Sequence, residues 1–255
     1  MSDFDRNYAA RTGYAERAAA IDAGLRAYML RVYNYMAAGV ALTGVVAWLT
    51  FQAAGGDAIQ LVGSQITGLT PFGQAVFSGP LTIVLFLGTL GLVFFLSFRI
   101  GRMQPATALA LFMVYAALLG LMLSSIFLAY TGASITRTFF ISAASFGALS
   151  LYGYTTQRDL SPIGSFLVMG LFGLILAMIV NIFLKSTGLD FAISAIGVLI
   201  FAGLTAWDTQ RIKEMYSVSD DGTIAGRKAV MGALTLYLDF INLFLFLLRF
   251  LGDRR

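Results

Sequence analysis

Residues 163–184 read IGSFLVMGLFGLILAMIVNIFL, 22 residues without a single charge. A helix of about 20 apolar residues crosses a hydrocarbon core of about 30 Å, so this stretch is long enough to span a bilayer. It is bounded by Arg158 and Asp159 on one side and by Lys185 on the other, as the ends of a span should be. Working outward, six further stretches share its continuous apolar character: 32–51, 79–98, 106–130, 138–155, 191–207 and 233–251, the last with one acid inside it. Outer-membrane strands would instead alternate apolar and polar residues in stretches of about 10. The expected fold is therefore an all-α membrane protein with seven transmembrane helices.

Composition supports lipid as the main solvent. Of 255 residues, 58% are apolar and 12% charged, against roughly 45–50% and about 25% in soluble domains. There is no Cys and no His, which excludes disulfides, thiolate chemistry, His-based metal sites and imidazole pH switches. Any proton response must come from carboxylates, and no cofactor is expected. A pI near 9.4 suggests nucleic acid at first sight, but the basic residues are scattered beside the spans and read as topology signals.

Residues 1–31 are polar, with five Arg beside four acids. They lack the form of a cleavable signal peptide, and Ile21, Leu25, Tyr28, Met29 and Val32 suggest a short amphipathic helix on the membrane surface. This gives an N-terminal segment, 1–31, and a transmembrane domain, 32–255. Twelve of the 17 Lys and Arg fall on the side of the N-terminus, which the positive-inside rule makes cytoplasmic. Arg249, Arg254 and Arg255 lie outside if the last span crosses fully and inside if it is re-entrant; a full crossing is the reading taken. Trp48 and Trp207 fall near opposite interfaces. The one sizeable excursion on the cytoplasmic side between spans is the loop from 209 to 228.

An ionisable side chain within a span costs several kcal/mol unless paired or solvated. Two acids stand out. Asp239 lies six residues into the last span, and Asp208 closes the sixth; both fall in the cytoplasmic half, where they can meet. Two carboxylates in one dry site share a proton and titrate as a unit, which makes a histidine-free proton sensor. The same oxygens suit a hard cation, although Ca²⁺ prefers about 6–8 of them, so weak coordination along a path fits better than storage. Arg99 and Arg102, after the second span, can snorkel to headgroups or reach a carboxylate. Asn181 and Asn242 read as interhelical hydrogen-bond partners. Ser142, Ala143, Ala144, Gly147, Ala148 and Ser150 read as small residues that let helices approach closely.

Gly203-Leu204-Thr205-Ala206-Trp207-Asp208-Thr209-Gln210, with the run from Leu234 to Phe244 (LTLYLDFINLF) and Leu248-Arg249, resembles the signature of the Bax inhibitor-1 family of transmembrane proteins. Ser150 to Thr156 (SLYGYTT) and Asp159-Leu160-Ser161 resemble its bacterial branch, and the similarity runs from about Leu25 onward. The resemblance implies six helices wrapped around a central C-terminal seventh, in a bacterial inner (plasma) membrane. It also implies a pH-sensitive Ca²⁺ leak, with Asp208 and Asp239 as the sensor and ion path and Ca²⁺ as the transported ion. An arginine after the second helix would latch the acid of the sixth: Arg102 by position, Arg99 second. Some relatives suggest an alternative, a regulator that binds other membrane proteins such as a membrane-anchored protease. Intramembrane aspartyl proteases also pair two acids on adjacent helices, but Leu236-Tyr237-Leu238 stands here where they carry Gly-x-Gly, and no enzyme is expected. A retinal protein would need a mid-membrane lysine, and Lys185, Lys213 and Lys228 all lie at span ends or in loops.

Overall fold

The computed structural model describes residues 3–62 and 65–254, with side chains over 21–59 and 67–254. The chain is helical almost throughout, as backbone groups in lipid require. α1 covers Asp3–Ala54 and α2 Pro71–Phe77, followed by α3 at Pro80–Arg99, α4 at Pro105–Leu123 and the short α5 at Ile126–Ala129. α6 is Gly132–Thr155, α7 Ser161–Leu184, α8 Thr187–Glu214 and α9 Gly222–Leu251. All four prolines, at 71, 80, 105 and 162, stand in the first turn of a helix, where the missing N–H costs nothing. Side chains cap other starts: Thr131 accepts from Ser134 N, Ser186 from Leu189 N and Asp221 from Ile224 N.

Among the described residues, six helices are long and apolar enough to cross a membrane. The expected fourth span, α6, has the length, but Ser134, Thr138, Ser142 and Ser150 dilute its apolar character, and all four are buried against the bundle. Two further expectations change. No break separates the polar head from the first span: α1 is one helix of 52 residues, about 78 Å at 1.5 Å per residue; the head's side chains before residue 21 lie outside the described ones. The loop expected over 209–228 contracts to 215–221, because α8 and α9 continue through their charged ends.

Among the described residues the only sheet is a hairpin of β1 (Gln60–Val62) and β2 (Gln65–Thr67). It belongs to the 52–78 connection, which folds back so that Ile59 and Leu69 join Phe51, Ala54, Phe77 and Phe127 in a small satellite core. Gly55, Gly56 and Gly68 adopt positive φ at its turns.

α9 is the most buried of the apolar helices and packs on α8, α1, α6 and α4. It runs unbroken, so it contains no re-entrant turn. Its end meets the starts of α8 and α6: Arg249 pairs with Asp190, Arg254 lies 3.6 Å from the same carboxylate, and Arg137 holds Asp253 at 3.1 Å. α3 and α7, by contrast, leave most of their surface open, with Phe98 and Phe183 about four-fifths exposed (80% and 81%), as faces turned to lipid should be.

Tyr237 anchors the core. Its ring meets Phe112 and Tyr115 edge to face at 5.3 and 6.0 Å, and its hydroxyl lies 2.6 Å from Thr43 Oγ1, which donates to Ala116 O at 2.9 Å. Thr43 has one proton and spends it on a carbonyl, so Tyr237 is the donor to Thr43. Tyr237→Phe removes that bond and leaves the ring contacts, and thermal unfolding in detergent should show a loss of about 1 kcal/mol.

Candidate functional site

In Trp207-Asp208-Thr209-Gln210, successive side chains turn about 100° around α8, and the four therefore face four different neighbours. Trp207 lies against α7 at Gly164, where a Cβ would sit 2.2 Å from the indole ring. Asp208 points toward α9. Thr209 Oγ1 donates to Thr205 O at 2.8 Å and meets Ser150 Oγ of α6 at 2.9 Å, and Ser150 in turn meets the Tyr33 hydroxyl of α1 at 2.6 Å. Gln210 holds the α6–α7 connection, accepting from Leu160 N at 2.9 Å and donating to Arg158 O at 2.8 Å. Beside it, Asp159 accepts from Ser161 N at 2.8 Å, and hydrogen bonds from the Ser161 side chain and backbone hold its carboxyl below the usual carboxylate range. It therefore stays charged at the start of α7, where an anion is favoured.

The two expected acids come together. Asp208 and Asp239 are both buried, 8% and 5% exposed, and their carboxyl groups lie within hydrogen-bonding reach of each other. Both sit further from the helix ends than the spans suggested: Asp208 six residues before the end of α8, Asp239 seventeen beyond the start of α9. Oδ2 of Asp239 has no hydrogen-bond partner among the described residues. A carboxylate facing another carboxylate has no donor unless one of them carries a proton.

The pair forms part of the wall of a cavity of about 500 Å³, with Trp207, Arg211, Thr235 and Asn242 as its other polar neighbours and apolar side chains of α7, α8 and α9 closing the rest. Arg211 is the cation that acts on Asp208, and its guanidinium lies 5.5 Å from the centre of the Trp207 ring. Arg99 and Arg102, the expected latch residues, are exposed at the end of α3 and its 3₁₀ turn and make no ion pair among the described residues. Arg227 instead holds that turn through Gly101 O at 2.5 Å. Among the described residues, Asn181 of α7 accepts from the N–H of Ser186, the cap residue of α8, and Asn242 donates to Leu238 O of its own helix.

Among the described residues no three acids gather to hold a metal. The hydroxyl chain Tyr33–Ser150–Thr209 is the site feature that the spans did not reveal. Its members lie 117 and 59 positions apart, and no spacing rule connects them.

A family model described as Inhibitor of apoptosis-promoting Bax1 matches residues 25–255. The uncharacterized protein RP147 of Rickettsia prowazekii is 52% identical over 234 residues, 92% of each chain. The inner membrane protein YbhL of Escherichia coli K12 is 47% identical over 235 residues, 91% of this chain and 94% of its own. A Caulobacter vibrioides protein is 46% identical over 259 residues, the whole of both chains.

Proposed function

The chain belongs to the Bax inhibitor-1 family of membrane proteins, and on that premise we propose that it is a Ca²⁺ leak path of a bacterial inner membrane whose conduction follows the protonation of Asp208 and Asp239. The observation that carries this reading is the buried pair itself, two carboxyl groups within reach of one another on a cavity wall, one oxygen lacking a donor. A protonated pair is a hydrogen bond between α8 and α9; a pair that has lost its proton is two like charges in a dry site. Proton loss therefore biases any two-state arrangement of these helices. The freed oxygens then attract a hard cation, and their small number keeps the cation from being trapped.

In this reading α6 crosses as a seventh span, six helices surround α9, and the N-terminus lies in the cytoplasm by the charge rule. The burial of α9 and its packing on α8, α1, α6 and α4 support that arrangement. Protein reconstituted into liposomes with an enclosed Ca²⁺ dye tests the function. The flux of the unmodified protein should change with pH and that of Asp239→Asn should not; a pH-independent flux in the unmodified protein overturns the proposal.

A further inference from the structure

α1 packs on α4 and α9, and α6 on α8 and α9, so both helices lie against α9. The Tyr33–Ser150 hydrogen bond bridges them. Outside that bridge lies a slot of about 490 Å³, lined by Arg26, Met29, Leu30 and Tyr33 from one face of α1 and by Gly147 and Tyr154 among others from α6. The α1 residues recur at i, i+3, i+4 and i+7, a single helix face. Leu30 and Leu151 on the rim are exposed at 53% and 63%, so the slot opens sideways, onto the surface that the apolar helices turn to lipid.

Its charge is confined to one end. Gly24 abuts Tyr216 in the α8–α9 connection, which places Arg26 at the end of the bundle, where headgroups lie. Arg26 has no hydrogen-bond or ion-pair partner among the described residues and is exposed. Lys213 lies against Tyr154 of the slot wall, donating to Tyr154 O at 2.8 Å with its ammonium 5.5 Å from the Tyr154 ring centre. Among the described residues no acid lines the slot; Asp22, one turn back on α1, is exposed, and Asp220 is engaged by Lys228 at 2.6 Å. Tyr33 and Ser150 satisfy each other, leaving the interior apolar.

We propose that the α1–α6 seam binds an anionic phospholipid, one acyl chain lying in the slot and the phosphate held by Arg26 with Lys213 beside it. An apolar channel beneath an unpaired guanidinium matches the two ends of such a lipid, and Arg engages phosphate oxygens through two parallel donors.

The test uses the full chain in vesicles of phosphatidylcholine doped with either phosphatidylglycerol or phosphatidylcholine carrying the same photoactivatable acyl chain. Labelling by the phosphatidylglycerol probe should concentrate on residues 26–33 and 146–154, above the level on the exposed faces of α3 and α7. Arg26→Gln should lower the preference for phosphatidylglycerol about five-fold, the effect of one basic residue near an anionic headgroup. Gly147→Leu should suppress slot labelling by both probes while leaving that on α3 and α7; a Cβ at 147 meets nothing within 4 Å, so the side chain fills the slot without disturbing the fold. Labelling spread evenly over α3, α7 and the seam, or unchanged in Gly147→Leu, overturns the site. Equal labelling by the two probes in the unmodified protein overturns the anionic headgroup.

Discussion

Asparagine at both 208 and 239 should flatten the pH response of Ca²⁺ flux no further than asparagine at either position alone. The two carboxyl groups lie within hydrogen-bonding reach in a buried site, and groups coupled so closely gain and lose protons as a pair. Putting an amide at either position supplies a permanent donor to the remaining carboxylate. The like-charge contact that made protonation matter then no longer forms. Independent sensors would behave differently: each single variant would keep part of the response and the two losses would add. One shared proton also limits the steepness in the unmodified protein to about tenfold per pH unit. Dye-reported flux in liposomes, measured over a pH series for the four proteins, decides the matter. A double variant clearly flatter than both singles would show that the acids act separately.

That the pair was legible in the sequence follows from the cost of charge in lipid: among residues inside apolar stretches, an acid is conspicuous whatever its partners. Its depth was not, because hydropathy marks where lipid ends and not where a helix ends. Arg211, Lys213, Glu214, Arg227 and Lys228 are good helix formers, and they carry α8 and α9 well past the apolar boundary into what reads as a loop. The same reasoning explains α1, whose polar turns continue through residue 31 without a break. Contacts between distant helices were the least legible. Nothing in the spacing of Tyr33, Ser150 and Thr209 joins them, and nothing in the span between α2 and α4 fixes which arginine faces which acid. In the structure Arg211, on the helix of Asp208 itself, is the nearby cation. The small residues of α6 that read as packing divide: Ser142 and Ser150 are buried, as is Gly153 further along the helix, whereas Gly147 opens onto the slot.

That division gives a second large effect. Gly153→Leu should leave the protein unable to assemble normally, whereas Gly147→Leu, six residues earlier on the same helix, should unfold within about 0.5 kcal/mol of the unmodified protein, as substitutions away from packed features do. A Cβ at 153 would lie 2.1 Å from the carbonyl oxygen of Ala206 and 3.0 Å from its Cα. Those atoms are helix backbone and cannot rotate away, so α6 and α8 must separate. Overpacking among side chains costs about 1–3 kcal/mol; here the obstacle is rigid, and the cost should exceed that range. Separation also strains the Ser150–Thr209 bond and the bond from Lys213 to Tyr154 O, both of which join these helices at the same level. Asp208 lies two residues from Ala206, so a displaced α8 carries it away from Asp239, and whatever protein survives should show a blunted pH response. Thermal unfolding in detergent, with size-exclusion profiles for both variants, separates the outcomes. If Gly153→Leu melts with the unmodified protein, α6 and α8 do not approach as closely as this geometry requires, and the route by which α6 supports the carboxylate pair fails with it.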